Sequence, residues 1–91
     1  MANSTDWFVY MLRCADNSLY TGITTDVIRR VDEHNGLGAK GAGAKYTRVR
    51  QPVELVYQEQ LASRSEAGRR EAALKKLSKK DKEKLVVVEN L

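Results

Sequence analysis

The sequence predicts an α+β fold: a small three-stranded, mainly antiparallel sheet flanked by helices, in the order β-β-α-β-α-α. Two short runs of aromatic and aliphatic residues, 7–14 and 18–23, are joined by a polar turn and indicate a hairpin. A third run, 53–58, alternates apolar and polar residues with the period of a half-buried strand. The segments that follow the second and third runs show helical spacing or a helix-capping signal. Strands and helices segregated in this way predict an α+β domain.

The length and composition predict one domain, 1–91, with a disordered tail at 1–6. Hydrophobic residues make up 42% and charged residues 31% of the chain, which is typical of a soluble globular protein. The sequence holds no bilayer-spanning apolar run and no signal-peptide pattern, which predicts a cytoplasmic protein with no membrane partner. The single Cys14 cannot form an internal disulfide, in agreement with a reducing compartment. A monomer is the default expectation.

The net charge of +4 is unevenly distributed. Residues 61–84 hold nine Lys or Arg against four acidic residues, and 26–50 hold six against three, while the remaining segments are net acidic. Such asymmetry favours a polyanionic partner. Lysine-rich helix faces that merely keep the protein soluble explain the same pattern equally well.

The hairpin register decides whether Tyr10 and Tyr20 can share a site. A two-residue loop at 16–17 would place the two phenols on opposite faces of the sheet. A three-residue loop at 15–17 pairs Tyr10 with Gly22 and puts both phenols on one face, provided that Asn17 is left-handed. We predict the second register, because shared chemistry requires one face.

A helix is predicted from about Asp26 to His34, with Thr24 or Thr25 as its N-cap. Its apolar stripe is expected to comprise Val27, Ile28 and Val31. Arg30 and His34 are four residues apart and therefore neighbours at the border of that stripe.

A long connection, 35–52, then carries four glycines and several cations. Glycine-rich backbone can approach a ligand closely, and the cations suit phosphate oxygens, so four residues are candidate nucleic-acid contacts: Lys40, Lys45, Arg48 and Arg50. A mobile surface loop without function is the alternative. After the strand at 53–58, the capping box at 63–66 begins a helix that is predicted to end near Leu77. A short last helix is predicted from Lys79 to about Val86, with Ser78 as its cap.

The stretch 7–34 contains more side chains able to take part in chemistry than any other part of the chain. It includes two tyrosines, a glycine, an arginine and a histidine. The sequence reads Phe8-Val9-Tyr10, then Tyr20-Thr21-Gly22, with Arg30 and His34 on the following helix. This arrangement resembles the GIY-YIG nuclease superfamily, in which two motif tyrosines lie on a hairpin. The likeness extends over nearly the whole chain. Segments 10–14, 44–48 and 70–77 are similar to those of the small stand-alone bacterial members.

The resemblance implies a metal-dependent nuclease that acts on DNA, or alternatively RNA, with DNA repair as its role. Tyr10, Tyr20, Arg30 and His34 would be catalytic, and Gly22 would leave space beside Tyr10. Glu71, in a segment like the superfamily's metal-binding segment, would hold Mg²⁺ or another divalent cation such as Mn²⁺. Glu71 can also be explained by pairing with Lys75, and Glu66 by the capping box. Arg70 and Lys75 join the candidate nucleic-acid contacts.

Two other functions are compatible with the sequence. Larger superfamily members carry an asparagine beside the metal, and the one counterpart here, Asn90, is poorly placed. That departure favours a nucleic-acid-binding module of the same fold with little or no catalysis. An interaction protein whose basic helix binds an acidic partner is the third alternative.

Overall fold

The predicted three-stranded antiparallel α+β architecture is confirmed by a computed structural model, which describes residues 6–38 and 42–89. The strands are β1 (Trp7–Arg13), β2 (Leu19–Thr24) and β3 (Glu54–Leu61), and the sheet order is β2-β1-β3. The helices are α1 (Val27–His34), α2 (Lys45–Arg48), α3 (Arg64–Lys75) and α4 (Lys79–Glu89). Most of the predicted tail, Lys40 and Asn90 lie outside the described residues. No helix in the described part is long and apolar enough to cross a membrane.

The hairpin of β1 and β2 has the predicted register. Tyr10 pairs with Gly22 and Leu12 pairs with Tyr20, both in antiparallel fashion. Asn17 supplies the required left-handed residue with φ of 71°. The Asp16 carboxylate accepts a hydrogen bond from the Ser18 backbone N–H at 3.0 Å, which fixes the turn locally.

The alternation predicted for β3 is wrong in one respect, because β3 carries a bulge opposite β1. Met11 pairs with Tyr57 but Leu12 pairs with Leu55, so Val56 is the extra residue. The bulge moves Tyr57 to the face opposite that of Leu55. The regular period of two therefore fails in mid-strand, and the strand also extends beyond 53–58 to Leu61.

The sheet carries two hydrophobic clusters, one on each face. The cluster packed by α3 and α4 contains Val9, Met11, Tyr57, Leu74 and Val86. The cluster on the other face contains Tyr10, Leu12, Cys14 and Val53, with Tyr20, Val31 and Leu55 packed against it. Successive residues of β1 alternate between the two clusters, as the pleat requires.

Helix α1 begins one residue later than the predicted helix, and its cap is different. Asp26 is the N-cap, and its carboxylate accepts a hydrogen bond from the Arg29 N–H at 3.1 Å. Thr24 instead accepts from the Asp26 N–H at 3.1 Å, so it supports the cap without being it. Ile28 is 79% exposed and does not belong to the inward stripe. The inward face of this eight-residue helix ends in His34, which occupies the position that an aliphatic residue would otherwise fill.

The remaining helices also depart from the predicted bounds. The connection 35–52 contains the unpredicted helix α2, and α4 reaches Glu89 instead of ending near Val86. Helix α3 ends at Lys75, two residues before the predicted end. Its cap is as predicted at Ser63, whose hydroxyl accepts from the Glu66 N–H at 3.1 Å. The Glu66 carboxylate accepts from the Ala62 N–H at 3.3 Å, one residue before the cap.

Candidate active site

Tyr10, Tyr20 and His34 meet on the sheet face that α1 covers. The register of β1 and β2 puts both phenols on that face, and α1 delivers His34 from its last turn. The ring centroid of His34 lies 5.9 Å from that of Tyr10 and 5.1 Å from that of Tyr20. Tyr10 and His34 are almost fully enclosed, at 1% and 0% exposure. We call these three residues, with Thr47 of α2, the tyrosine–histidine cluster.

Both ring nitrogens of His34 have hydrogen-bond partners. Nε2 lies 2.8 Å from the Tyr10 hydroxyl oxygen, and Nδ1 lies 2.7 Å from Thr47 Oγ1. The Thr47 hydroxyl also donates to the Ala44 carbonyl at 3.1 Å. A buried imidazole with two satisfied nitrogens has a fixed orientation, so Nε2 is held against the Tyr10 hydroxyl.

Burial controls the protonation of this pair. Burial, with the Arg30 charge beside it, lowers the pKa of His34 to about 4, so the imidazole is neutral near pH 7. Burial raises the pKa of Tyr10 to about 12 although the neighbouring Arg30 opposes the rise. Arg30 thus lowers the pKa of this phenol, but desolvation raises it by more.

Arg30 lies beside Tyr10 and is held by its own neighbourhood. Its guanidinium donates to the Glu33 carboxylate at 2.8 Å and to the Ala42 carbonyl at 2.6 Å. It also lies close enough to the Tyr10 hydroxyl to lower the pKa of that phenol. Arg29 points away, with its side chain 63% exposed and only a long ion pair to Glu33 at 3.8 Å. Of the two adjacent arginines, Arg30 is thus the one that faces the cluster.

Gly22 leaves the space that the Tyr10 ring occupies. A Cβ atom at position 22 would lie 2.5 Å from the Tyr10 hydroxyl oxygen and 2.8 Å from its ring carbon Cζ. Real Cβ atoms do not approach other atoms so closely, so any side chain here would displace the phenol. The glycine is therefore a geometric requirement of the site.

An aromatic column leads from the cluster to the surface. The Tyr46 ring stacks on Tyr20 with a centroid separation of 5.8 Å, and the Arg50 guanidinium carbon lies 3.9 Å from the Tyr46 centroid. Arg50 is anchored by the Asp16 carboxylate and the Tyr46 carbonyl, at 3.0 and 2.9 Å. Arg50 therefore ties the loop of α2 to the hairpin turn, besides being a candidate phosphate contact.

Glu71 approaches the site from α3. Its carboxylate accepts from Lys75 at 3.1 Å, and its charge contributes to the raised pKa of Tyr10, so it lies within electrostatic reach of that phenol. No group of three or more His, Cys, Asp or Glu side chains within 6–38 and 42–89 could enclose a metal ion. A single carboxylate suits Mg²⁺, which keeps several waters and takes further oxygens from a phosphate. Glu71 as a single protein ligand thus fits a cation that takes its other ligands from water and a substrate phosphate.

The candidate nucleic-acid contacts fall into two groups. Lys45 and Arg48 are exposed on α2, and no ion pair in the described part of the chain engages them. Three others are already paired: Arg50 with Asp16, Arg70 with Glu59 at 3.0 Å and Lys75 with Glu71. Lys40 lies outside the described residues.

Thr47 and Tyr46 were not predicted as site residues. Both lie in the 44–48 segment, which read as part of a loop, and only the helical turn of α2 brings them against His34 and Tyr20. Segment 44–48 resembles the stand-alone superfamily members, and this resemblance could have identified the two residues. A plain loop would give no structural reason for such a resemblance.

The chain is similar to known proteins over most of its length. The sequence profile of the GIY-YIG catalytic domain matches residues 6–84. A UPF0213 protein of Desulfotalea psychrophila is 55% identical over 80 residues, which cover 88% of this chain and 70% of the relative. The solution NMR structure of a UPF0213 protein from Bacillus halodurans is 48% identical, with a TM-score of 0.56, covering 91% of this chain and 84% of its own. An NMR structure from E. faecalis is 43% identical, with a TM-score of 0.61, covering 97% and 90%.

Proposed function

This chain belongs to the GIY-YIG family of nuclease domains, and from that premise we propose that it is a metal-dependent endonuclease that hydrolyses phosphodiester bonds in DNA. The observation that carries the proposal is the 2.8 Å hydrogen bond between the Tyr10 hydroxyl and His34 Nε2. It puts a neutral proton acceptor against a phenol, beside a guanidinium, in a buried site. Phosphodiester hydrolysis needs these groups: one to take a proton from water and one to stabilise charge on phosphate.

Tyr10 would act as the general base toward water, with His34 as its proton acceptor. A phenol whose pKa is about 12 is protonated in the resting enzyme, so it must lose that proton as the substrate arrives. His34 Nε2, 2.8 Å away, would receive it. Because the resting pKa of His34 is about 4, this transfer becomes favourable only when the bound substrate lowers the pKa of Tyr10 or raises that of His34. Tyr20, whose ring meets the His34 edge, packs the imidazole in place and is the second candidate acid or base.

Arg30 would stabilise the negative charge that develops on the phosphate. A guanidinium presents N–H donors in a fork that matches two phosphate oxygens. Arg30 is only 26% exposed at its side chain, and its N–H groups already bind Glu33 and the Ala42 carbonyl. Those contacts hold the fork in one orientation before a substrate arrives.

Glu71 is the residue that would hold Mg²⁺, or Mn²⁺ in its place. When bound there, the cation would polarise the phosphate and its leaving oxygen. Lys45 and Arg48 would contact backbone phosphates, with the paired Arg50, Arg70 and Lys75 as further contacts. Because phosphate contacts carry no base information, weak sequence specificity is expected. RNA as a substrate, a cytoplasmic location and a role in DNA repair stay predictions from the sequence.

The proposal is tested with purified protein and branched, nicked and single-stranded DNA, with and without Mg²⁺. We expect cleavage that depends on Mg²⁺ and is abolished by Glu71→Gln, which keeps the side-chain shape and removes the charge. Glu66→Gln is the matched control, because Glu66 serves the cap of the same helix and should spare the chemistry. Full activity of Glu71→Gln would remove Glu71 from the site.

A nucleic-acid-binding module without catalysis is the second candidate. The ion pair of Glu71 with Lys75 at 3.1 Å favours it, because this pair engages the carboxylate that a cation would need. Binding of DNA with no cleavage of any substrate, in Mg²⁺ or Mn²⁺, would make this the better account.

A further inference from the structure

A chain of hydrogen bonds runs from Tyr10 to the backbone of α2. It passes from the Tyr10 hydroxyl to His34 Nε2 at 2.8 Å, from His34 Nδ1 to Thr47 Oγ1 at 2.7 Å, and from Thr47 Oγ1 to the Ala44 carbonyl at 3.1 Å. His34 and Thr47 are both 0% exposed, so water does not substitute for any partner. A neutral imidazole carries one N–H, and the two ends of the chain decide which nitrogen holds it.

The Tyr10 end requires an unprotonated Nε2. The other polar group beside the Tyr10 hydroxyl is the Arg30 guanidinium, which has only N–H donors and accepts nothing. The phenolic proton therefore needs an acceptor, and within the described residues His34 Nε2 is the acceptor at hydrogen-bonding distance. If Nε2 carried the proton, the buried phenolic O–H would be left without a partner, at a cost of about 1–3 kcal/mol.

The Thr47 end accommodates the same arrangement. The Thr47 hydroxyl donates to the Ala44 carbonyl at 3.1 Å, and that carbonyl also accepts the Arg48 N–H at 3.1 Å. The lone pairs of the Thr47 oxygen then face His34 Nδ1 at 2.7 Å, and Nδ1 supplies the proton of that bond. Because the Tyr10 end fixes Nε2 as an acceptor, the chain has one polarity: Tyr10 donates to His34, His34 to Thr47 and Thr47 to Ala44.

We propose that Thr47 is a positioning residue that holds His34 in its Nδ1–H tautomer, so that Nε2 is free to receive the Tyr10 proton. The inference rests on the proposed function for its catalytic meaning, but not for the tautomer itself. Thr47 lies behind His34 and acts on the reaction only through it.

The step that this arrangement permits is a single proton transfer. The proton leaves the Tyr10 oxygen and binds Nε2, giving a phenolate and an imidazolium whose Nδ1–H remains bonded to Thr47. The other groups that act on His34 are Arg30, whose charge opposes the imidazolium, and Glu33, whose charge favours it, with the Tyr20 ring against its edge. With Nε2 already protonated, the same transfer would have no acceptor.

The tautomer can be measured directly because His34 is the only histidine. We suggest recording two-bond ¹⁵N–¹H correlation spectra of ¹⁵N-histidine-labelled full-length protein near pH 7 for the parent, Thr47→Val and Thr47→Ser. The parent and Thr47→Ser should show a protonated Nδ1 and an unprotonated Nε2. Thr47→Val keeps the side-chain shape but lacks the hydroxyl, so the proton should shift toward Nε2. An Nε2–H tautomer in the parent, or an unchanged tautomer in Thr47→Val, would overturn the proposal.

A kinetic measurement then separates this proposal from the function on which it rests. Thr47→Val should lower kcat by about 100-fold, the size of a general-base contribution, with DNA affinity kept, and Thr47→Ser should restore kcat. Equal kcat in Thr47→Val and the parent would refute the positioning role. If the parent cleaves nothing while its spectrum shows Nδ1–H, the proposed function fails and the tautomer assignment stands.

Discussion

The two faces of the sheet use alternate residues of β1 and differ in the polarity of the side chains that they bury. Val9 and Met11 of β1 point to the face packed by α3 and α4, where Leu74 and Val86 complete an apolar cluster. Tyr10 points to the face packed by α1, where a phenol, an imidazole and a hydroxyl are buried in series. One face therefore gains stability from apolar area, and the other accepts buried polar groups that each need a partner. The comparison teaches that the proposed chemistry depends on a buried series of hydrogen bonds, whereas the first face buries mainly apolar side chains.

The largest expected effect is on the apolar face. Leu74→Ala removes a side chain of 0% exposure and should lower the free energy of unfolding by about 2–5 kcal/mol, a large fraction of the stability of so small a domain. Urea denaturation measures it. Ile28→Ala is the control, because Ile28 is 79% exposed and should change stability by less than about 0.5 kcal/mol. Similar losses in the two variants would refute the assignment of the core to this face.

The second-largest expected effect is a dependence of the free energy of unfolding on pH, caused by His34 on the polar face. The folded pKa of His34, about 4, lies below its ordinary value of 6.5, so the unfolded chain binds more protons between these values. The stabilisation is complete above pH 6.5 and is lost as the pH falls toward 4, by about 3 kcal/mol in all at about 1.36 kcal/mol per pKa unit. Denaturation at a series of pH values measures it. His34→Gln should flatten the dependence in this window, and an unchanged slope in that variant would assign it to carboxylates instead.

Arg30→Lys should affect the chemistry and spare the fold. Lysine keeps the charge but loses the fork, so cleavage should fall by about 100-fold while DNA binding changes little. Single-turnover cleavage and a binding titration separate the two. Arg29→Lys is the matched control, since Arg29 is exposed beside it on the same helix. An equal loss in both variants would mean that the wrong arginine was assigned to the phosphate.

The sequence predicted the features that depend on neighbouring residues. The hairpin register followed from a three-residue loop at 15–17 with a left-handed Asn17 and from the requirement that two phenols share a face. The cap of α3 followed from Ser63 and Glu66. Helical spacing made Arg30 and His34 neighbours, and their convergence on Tyr10 was implied by the resemblance to the GIY-YIG superfamily.

The features that the sequence did not predict depend on distant contacts. The bulge at Val56 shifts the pairing of β3 with β1 in mid-strand, and no local period reveals it. The four-residue helix α2 has no side-chain cap, so no capping signal marked it. Thr47 contacts His34 only when α2 docks on it, and the burial that raises the pKa of Tyr10 exists only in the assembled fold.

The smallest effect is expected where the polar face meets solvent. Lys45 and Arg48 are exposed on α2, the helix that also carries Thr47, so their cations stand next to the proposed chemistry. Each phosphate contact contributes about 0.9 to the slope of log affinity against log salt concentration. Replacing both residues by Ala should therefore reduce the DNA-binding slope by about 2 and leave stability within about 0.5 kcal/mol.

The matched control removes two exposed lysines from the other side of the sheet, Lys76 beside α3 and Lys80 in α4. Both double variants lose the same charge, so a general effect of net charge would lower both slopes equally. A larger loss for Lys45 and Arg48 would place the DNA on the polar face, beside the proposed catalytic groups. A larger loss for Lys76 and Lys80 would place the main DNA contacts at the end of α3 and in α4 instead of on α2.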